Sequence, residues 1–124
     1  MAVYICAQNI TAAQTIANVQ HLDGTVAGSS KAIPNISSTA LAGPGSNQGY
    51  EVVVTGSGNV SVTIQPVASN DGNNWVVNGG TLAVTSGASP QAGIVATSTT
   101  LAYVSAFVTA ITGTNASATI TVSM

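Results

Sequence analysis

The sequence predicts an all-β fold, a single antiparallel β-sandwich or jelly roll spanning residues 1–124. Short runs of alternating apolar and polar residues recur through its second half, and turn signals rich in Gly and Asn separate them. Aromatic residues make up only 4% of the chain, so Val, Ile, Leu and Ala must build the core. Val and Ile pack well on a pleated surface. This length accommodates one domain with an independent core.

The first half of the chain gives the weaker pattern. Val3 to Cys6 predicts a strand, and Gly43 to Asn47 predicts a loop. Between them, residues 11–22 fit either a helix or a second strand ending at Asp23. The helix would use the near-helical spacing of Ala12, Ile16 and Val19, whereas the surrounding composition favours the strand.

A β-hairpin is predicted in the middle of the chain. Residues 50–55 and 60–65 both alternate, and the Gly-containing segment 56–59 joins them. Pro66 is expected to end the ladder or to mark a sheet edge, because proline cannot donate to it.

The remaining elements follow from the same signals. Dense turn residues occupy 69–74, and a second turn is expected at 78–80. The alternating or β-branched runs predict strands near 81–85, 94–97, 101–111 and 118–124, with a loop before 94 and a turn at 112–115.

The run 101–111 is apolar on both of its faces, which predicts that the core covers one side and a neighbouring subunit the other. Trp75, Tyr103 and Phe107 are the large aromatic residues in and near this region. They are predicted to anchor either the core or a subunit interface, and the sequence pattern does not separate the two.

Charge is nearly absent from the chain. Charged residues make up 3%, namely Asp23, Lys31, Glu51 and Asp71, and the net charge is −2. One lysine cannot neutralise a phosphate backbone, so nucleic acid is excluded as a partner. Sheet edges are usually protected by charge, which this chain lacks, so we expect a homodimer or homotrimer that covers them.

Residues suited to catalysis or to metal binding are few and scattered. His21 is the single histidine, Cys6 is the single cysteine and is expected to be buried, and no Gly-x-Ser-x-Gly elbow occurs. Glu51 is expected to be solvated or paired with Lys31. Asn70 to Asn73 is interpreted as a turn, with a weak calcium loop as the alternative. We therefore expect no enzyme activity, and no catalytic, cofactor or metal site.

Targeting and membrane signals are also missing from the pattern. The first residues lack a basic segment, and the apolar runs are shorter than the ~18–20 residues that span a bilayer. The surface composition is typical of extracellular proteins, whereas the start is typical of cytoplasmic ones. A virion component, made in a host cytoplasm, reconciles the two, as does a chain whose signal peptide has been removed.

The segment 61–76, SVTIQPVASNDGNNWV, resembles small β-sandwich virion proteins of tailed bacteriophages. In that family a Thr/Val/Gln strand precedes a Ser-x-Asp-Gly turn and a Trp. The nearly uncharged remainder is similar in character to head decoration (cement) proteins. The resemblance implies a symmetric oligomer that binds the major capsid protein or other virion proteins and stabilises the capsid lattice.

Two other functions also fit the sequence. A phage tail, tube or fibre protein would form polymers rather than closed oligomers. A carbohydrate-binding or adhesin module would be a monomer that uses Trp75 to stack on a sugar.

Overall fold

The computed structural model describes residues 3–16, 33–34, 46–86 and 91–124. Within these residues the protein contains strands and no helix, and every strand pairing is antiparallel. The predicted all-β class is confirmed, while the sandwich or jelly-roll arrangement stays a prediction because all the strands belong to one hydrogen-bonded sheet. The strands are β1 (Val3–Ile10), β2 (Ile33–Pro34), β3 (Ser46–Ser69), β4 (Val76–Val77), β5 (Leu82–Ser86), β6 (Gln91–Thr99) and β7 (Tyr103–Ser123).

The sheet is built around the two long strands β3 and β7. They pair along almost their whole length, from Gly49 opposite Ser123 to Ser69 opposite Tyr103. On its other side β7 pairs with β1 and β2, and β3 pairs with β4, β5 and β6. Every other described strand therefore takes its position from this central pair.

The predicted hairpin at residues 50–65 is wrong. Both of its halves belong to β3, and both pair with β7. The predicted turn at 112–115 likewise lies inside β7. The two predicted turns face each other across the sheet, since Ser57 is paired with Thr114 and Ser61 with Thr112.

These facing segments are irregular stretches of strand rather than chain reversals. The β3–β7 register shifts between 55 and 61, and φ is positive at Gly56, Gly58, Gly113 and Asn115. A residue that leaves the ladder in this way bends its strand and increases its twist. Side-by-side irregularities therefore bend both long strands at the same level.

Close contacts explain why two of these positions are glycine: both approach Val60, and Gly56 also approaches the β7 backbone, with Ala116 Cα 3.0 Å from a Cβ built there. A Cβ on Gly56 would lie 3.1 Å from Val60 Cγ2, and one on Gly113 would lie 3.0 Å from the same atom. Their φ values of +147° and +126° are also unfavourable for residues with a side chain. At the bend, the backbone at Gly56 and at Gly113 therefore packs against buried Val60.

Of the two alternatives predicted for Pro66, the end of the ladder is wrong. It lies within β3, opposite Ala106 of β7. On its other side the partner of β3 changes from β5, which ends opposite Ile64, to β4, which begins opposite Val67. The missing N–H of proline falls in this gap between partners, so no pairing is lost.

One face of the central pair carries the main core. Its buried side chains are even-numbered on both sides of the bend: Tyr50, Val52, Val54, Val60, Val62, Ile64, Val104, Ala106, Val108, Ala116, Ala118, Ile120 and Val122. All of them belong to one contiguous cluster with Cys6, Ala7, Ile10, Ile33 and Val84. The bend therefore brings both halves of the same sheet face into one core.

The other predicted strands are found, with different ends. The runs at 81–85, 94–97, 101–111 and 118–124 lie in β5, β6 and β7, and Val3 to Cys6 lies in β1. Residues 11–16 form neither helix nor strand, although the Gln14 N–H donates to the Val108 carbonyl at 2.7 Å. Residues 17–22 and 43–45 lie outside the described residues. No helix in the described part of the chain is long and apolar enough to cross a membrane.

Gly93 of β6, predicted to lie in a loop, marks a close approach between β6 and β5. A Cβ at this position would lie 2.6 Å from Val84 Cγ2 and 3.5 Å from Leu82 Cδ2. Any larger residue must displace these side chains of the adjacent strand.

Gly93→Val is expected to lower the free energy of unfolding by about 1–3 kcal/mol, because it overpacks this contact. Gly80→Ala is the matched control, since a Cβ there meets nothing within 4 Å. Urea unfolding should show a lower midpoint for Gly93→Val and an unchanged or higher one for Gly80→Ala. Equal midpoints for Gly93→Val and the parent would contradict the close approach of β5 and β6.

Candidate assembly surface

Phe107 lies on the face of β7 opposite the main core and is 7% exposed. It forms a second, smaller cluster with Val67 of β3, and half-buried Trp75 packs against both. The sequence predicted a neighbouring subunit on this face of the 101–111 run. The chain's own Trp75 contributes the cover over Phe107.

Tyr103, the third predicted anchor, begins β7. It pairs with Ser69 on one side and with Pro34 on the other, and it is half-buried. Tyr103 is therefore held by the sheet, outside the Trp75–Phe107 cluster.

The predicted turn before Trp75 is organised by Asp71. Its Oδ1 accepts hydrogen bonds from the backbone N–H groups of Asn73 and Asn74, both at 2.8 Å, and from the Ser69 hydroxyl at 2.9 Å. Its Oδ2 accepts from Asn74 Nδ2 at 2.6 Å. The Ser69 hydroxyl in turn accepts from the N–H groups of Asp71 and Gly72, at 3.2 Å and 2.9 Å.

These contacts favour the turn interpretation of this segment over the calcium loop. The oxygens of Asp71 already accept four hydrogen bonds, whereas a calcium site needs several oxygens directed at the ion. Backbone hydrogen bonds from Asn74 and then Asn73 hold the pKa of Asp71 well below its usual value. The carboxylate thus stabilises the loop that carries Trp75.

The lowered pKa of Asp71 predicts a pH-dependent contribution to stability. A carboxyl group whose pKa is depressed by folding stabilises the folded state fully above its unfolded pKa of about 3.9. That stabilisation is lost as pH falls through the lower folded pKa. In urea unfolding, Asp71→Asn should lower the midpoint at pH 7, and this deficit should shrink below about pH 3.9.

The control for this prediction is Glu51→Gln, which removes one exposed carboxylate from the sheet surface. It should leave the midpoint nearly unchanged at pH 7. A deficit for Asp71→Asn that is the same at pH 2 and pH 7 would contradict the role of its charge.

Cys6 is buried in the main core, as predicted. Burial raises the pKa of its thiol far above the ordinary value, although a backbone hydrogen bond at Ala106 opposes the shift. Burial, and then the neighbouring Cys6, also raise the pKa of Tyr50. The thiol is therefore protonated at neutral pH and shielded from reagents.

No cluster of three or more His, Cys, Asp or Glu residues that could hold a metal ion exists among residues 3–16, 33–34, 46–86 and 91–124. His21, Asp23 and Lys31 lie outside the described residues, and so does the predicted Glu51–Lys31 pair.

The two long edges of the sheet differ in regularity. Along β1 the register shifts between Ile5 and Ala7 and again between Ala7 and Ile10, and Asn9 has a φ of +52°. Such bulges twist an edge and discourage further strand pairing. The edge formed by β1 is thus protected by its own irregularity.

Within the described residues, β6 has no comparable irregularity. It pairs with β3 from Thr99 opposite Ser46 to Gln91 opposite Val54, without a register shift. Its sequence, QAGIVATST, contains no charge and no proline. Among the described residues β3 is its one hydrogen-bonded strand neighbour. β6 is therefore the long, regular and uncharged edge of this sheet.

The C-terminal end of β6 and its centre differ in their surroundings. Near its C-terminal end, the Thr97 hydroxyl donates to the Asn78 carbonyl at 3.5 Å, and the Leu101 N–H donates to the Thr99 hydroxyl. In the centre, Ile94 is 68% exposed, the highest value among the large apolar residues described. The candidate assembly surface is the outer edge of β6 around this residue.

Ile94 projects onto the outer face of the sheet. It lies beside Glu51 of β3, which lies beside Thr121 of β7. Val3, which is 60% exposed, lies at the β1 end of the same face. Around Ile94 this face carries one carboxylate, that of Glu51, together with Thr121 and Ser123.

No family model, curated protein or solved structure matches this chain.

Sequence reasoning did not select Ile94. The alternating run 94–97 placed it in a strand, but a period of two does not show which strand lies at an edge. The missing information is the pairing of β6 with one half of a long β3, and the hairpin prediction concealed that pairing.

Proposed function

We propose that this chain is a non-enzymatic structural protein of a virion, of the head decoration (cement) type. It binds further copies of itself and the major capsid protein or another virion protein. The observation that carries the proposal is the regular, uncharged outer edge of β6, with Ile94 exposed at its centre. An edge of this kind is a template for pairing with another chain, and isolated sheet proteins avoid it.

The low charge of the whole chain supports the same proposal. With 3% charged residues and a net charge of −2, copies repel one another weakly. Contacts between them must then depend on apolar burial and on backbone or amide hydrogen bonds. A surface of this composition suits dense packing in an assembly better than it suits a free monomer in solution.

The resemblance of residues 61–76 supports the choice of virion and of head decoration. A capsid under internal pressure fails where its subunits meet. A protein that binds across those junctions stabilises the closed lattice by mass action, because its binding is lost when the subunits separate. The chain would be made in the host cytoplasm and reach its place in the virion during assembly.

The surroundings of Trp75 support this proposal over a carbohydrate-binding module. Sugar stacking requires an exposed aromatic face, whereas half-buried Trp75 packs against Val67 and Phe107. Adding sugars should accordingly leave the fluorescence of Trp75 unchanged. A phage tail or fibre protein differs from the proposed function in forming open polymers rather than a closed oligomer.

The first test of the proposed function is the solution mass of the purified chain, from light scattering over a concentration series. We expect a discrete oligomer, a multiple of 12.1 kDa, that persists on dilution. Because the contacts carry little charge, this mass should be the same at low salt and at about 0.5 M salt. A monomer at all concentrations, or an unlimited polymer, would contradict the proposal.

A second test addresses the decoration role. Heads of the virus that encodes the chain are assembled with and without it, and DNA release is followed on heating. Heads that contain the chain should release DNA at a higher temperature, because bound protein stabilises the lattice. Identical release temperatures would contradict a cement function and leave self-assembly unaffected.

A further inference from the structure

We propose that two copies of the chain pair antiparallel through their β6 edges, about a two-fold axis that places Ile94 opposite Ile94 of the second copy. This inference rests on the proposed function and specifies the surface through which two copies of the chain bind each other. The result is a sheet that continues from β3 and β6 of one copy into β6 and β3 of the other.

Backbone hydrogen bonding supplies the first argument. In an antiparallel ladder, alternate residues of an edge strand direct their N–H and C=O groups away from their one partner. The uninterrupted register of β6 with β3 keeps these outward groups evenly spaced. An antiparallel edge is complementary to itself under a two-fold rotation, so a second copy satisfies these groups without any new sequence feature.

The side chains fix the position of the axis. Ile94 is the exposed large apolar residue of β6, at 68%, whereas Val95 is half-buried against the main core. An axis at Ile94 pairs residues 91–97 of both copies and leaves Ser98 and Thr99 outside the ladder. It also brings the two Ile94 side chains directly opposite each other, where cross-strand apolar pairs stabilise a sheet.

Charge does not oppose this arrangement. The nearest described carboxylate is Glu51, which lies beside Ile94 on the neighbouring strand. The two Glu51 positions would be three strand spacings apart, about 14 Å. Physiological salt screens charges beyond about 8 Å, so their repulsion is small.

The outer edge of β1 is less suitable for pairing with a second copy. Its outer edge offers Val3, which is 60% exposed, but two register shifts interrupt its spacing. A partner strand could follow β1 for only a few residues before the outward groups fall out of step.

The test uses Ile94→Lys with Val3→Lys as its matched control. Both exchange an exposed valine or isoleucine for lysine on the same sheet face, at opposite edges. Ile94→Lys places two ammonium groups opposite each other at the axis and should halve the mass measured by light scattering. Val3→Lys should keep the parent mass. A cooperative urea transition in each variant would show that both remain folded.

A second variant tests the register directly. Ile94→Cys should give a covalent dimer with a short bis-maleimide on a denaturing gel, whereas Val3→Cys should not. The native Cys6 does not interfere because it is buried and its thiol stays protonated. The parent chain provides the blank for this reaction.

The outcomes separate the two proposals. The β6 pairing is overturned if the oligomer persists in both variants, or if it persists in Ile94→Lys and is lost in Val3→Lys. Either result leaves the proposed function standing. A parent chain that is monomeric throughout overturns both. A mass halved by Ile94→Lys alone, with the Ile94→Cys cross-link, establishes the β6 contact.

Discussion

The structure depends on the continuous pairing of β3 with β7. All other described strands attach to this pair, and the main core lies on one of its faces. The pair can serve the whole domain because it bends in the middle, where the irregular segments of the two strands face each other. Gly56 and Gly113 allow this bend, since side chains at either position would meet Val60. Two glycines and one valine thus determine how both halves of the sheet share a core.

The same bend determines where the sheet edges lie. Because β3 runs through the bend, it offers one side to β6 before it and to β5 and β4 after it. β6 is left as the outermost described strand of its half. Its sequence lacks the charges, prolines and bulges that protect edges elsewhere, including the bulges of β1. The low charge of the chain therefore has a specific structural consequence, which is that the outer edge of β6 carries no charged residue.

The sequence predicted the class of fold and many of the strand residues, because a period of two is a local signal. It did not predict the connections. The segments 56–59 and 112–115 have the composition of turns, and an alternating pattern is the same whether the chain reverses or merely bends there. Only the pairing of Ser57 with Thr114 distinguishes the two, and that is a long-range contact. The edge position of Ile94 was hidden for the same reason, whereas the Asp71 turn depended on adjacent residues and was predicted.

The proposed assembly requires the outer edge of β6 to be paired. Hydrogen–deuterium exchange of residues 91–97, measured in the parent chain and in Ile94→Lys, reports on this pairing. Amide groups that point away from β3 exchange quickly in a free edge and slowly in a paired one. We expect residues 91–97 to be protected in the parent chain and to exchange faster in Ile94→Lys, while the protection of β1 is the same in both. Fast exchange in β6 at a concentration where the oligomer predominates would contradict the pairing.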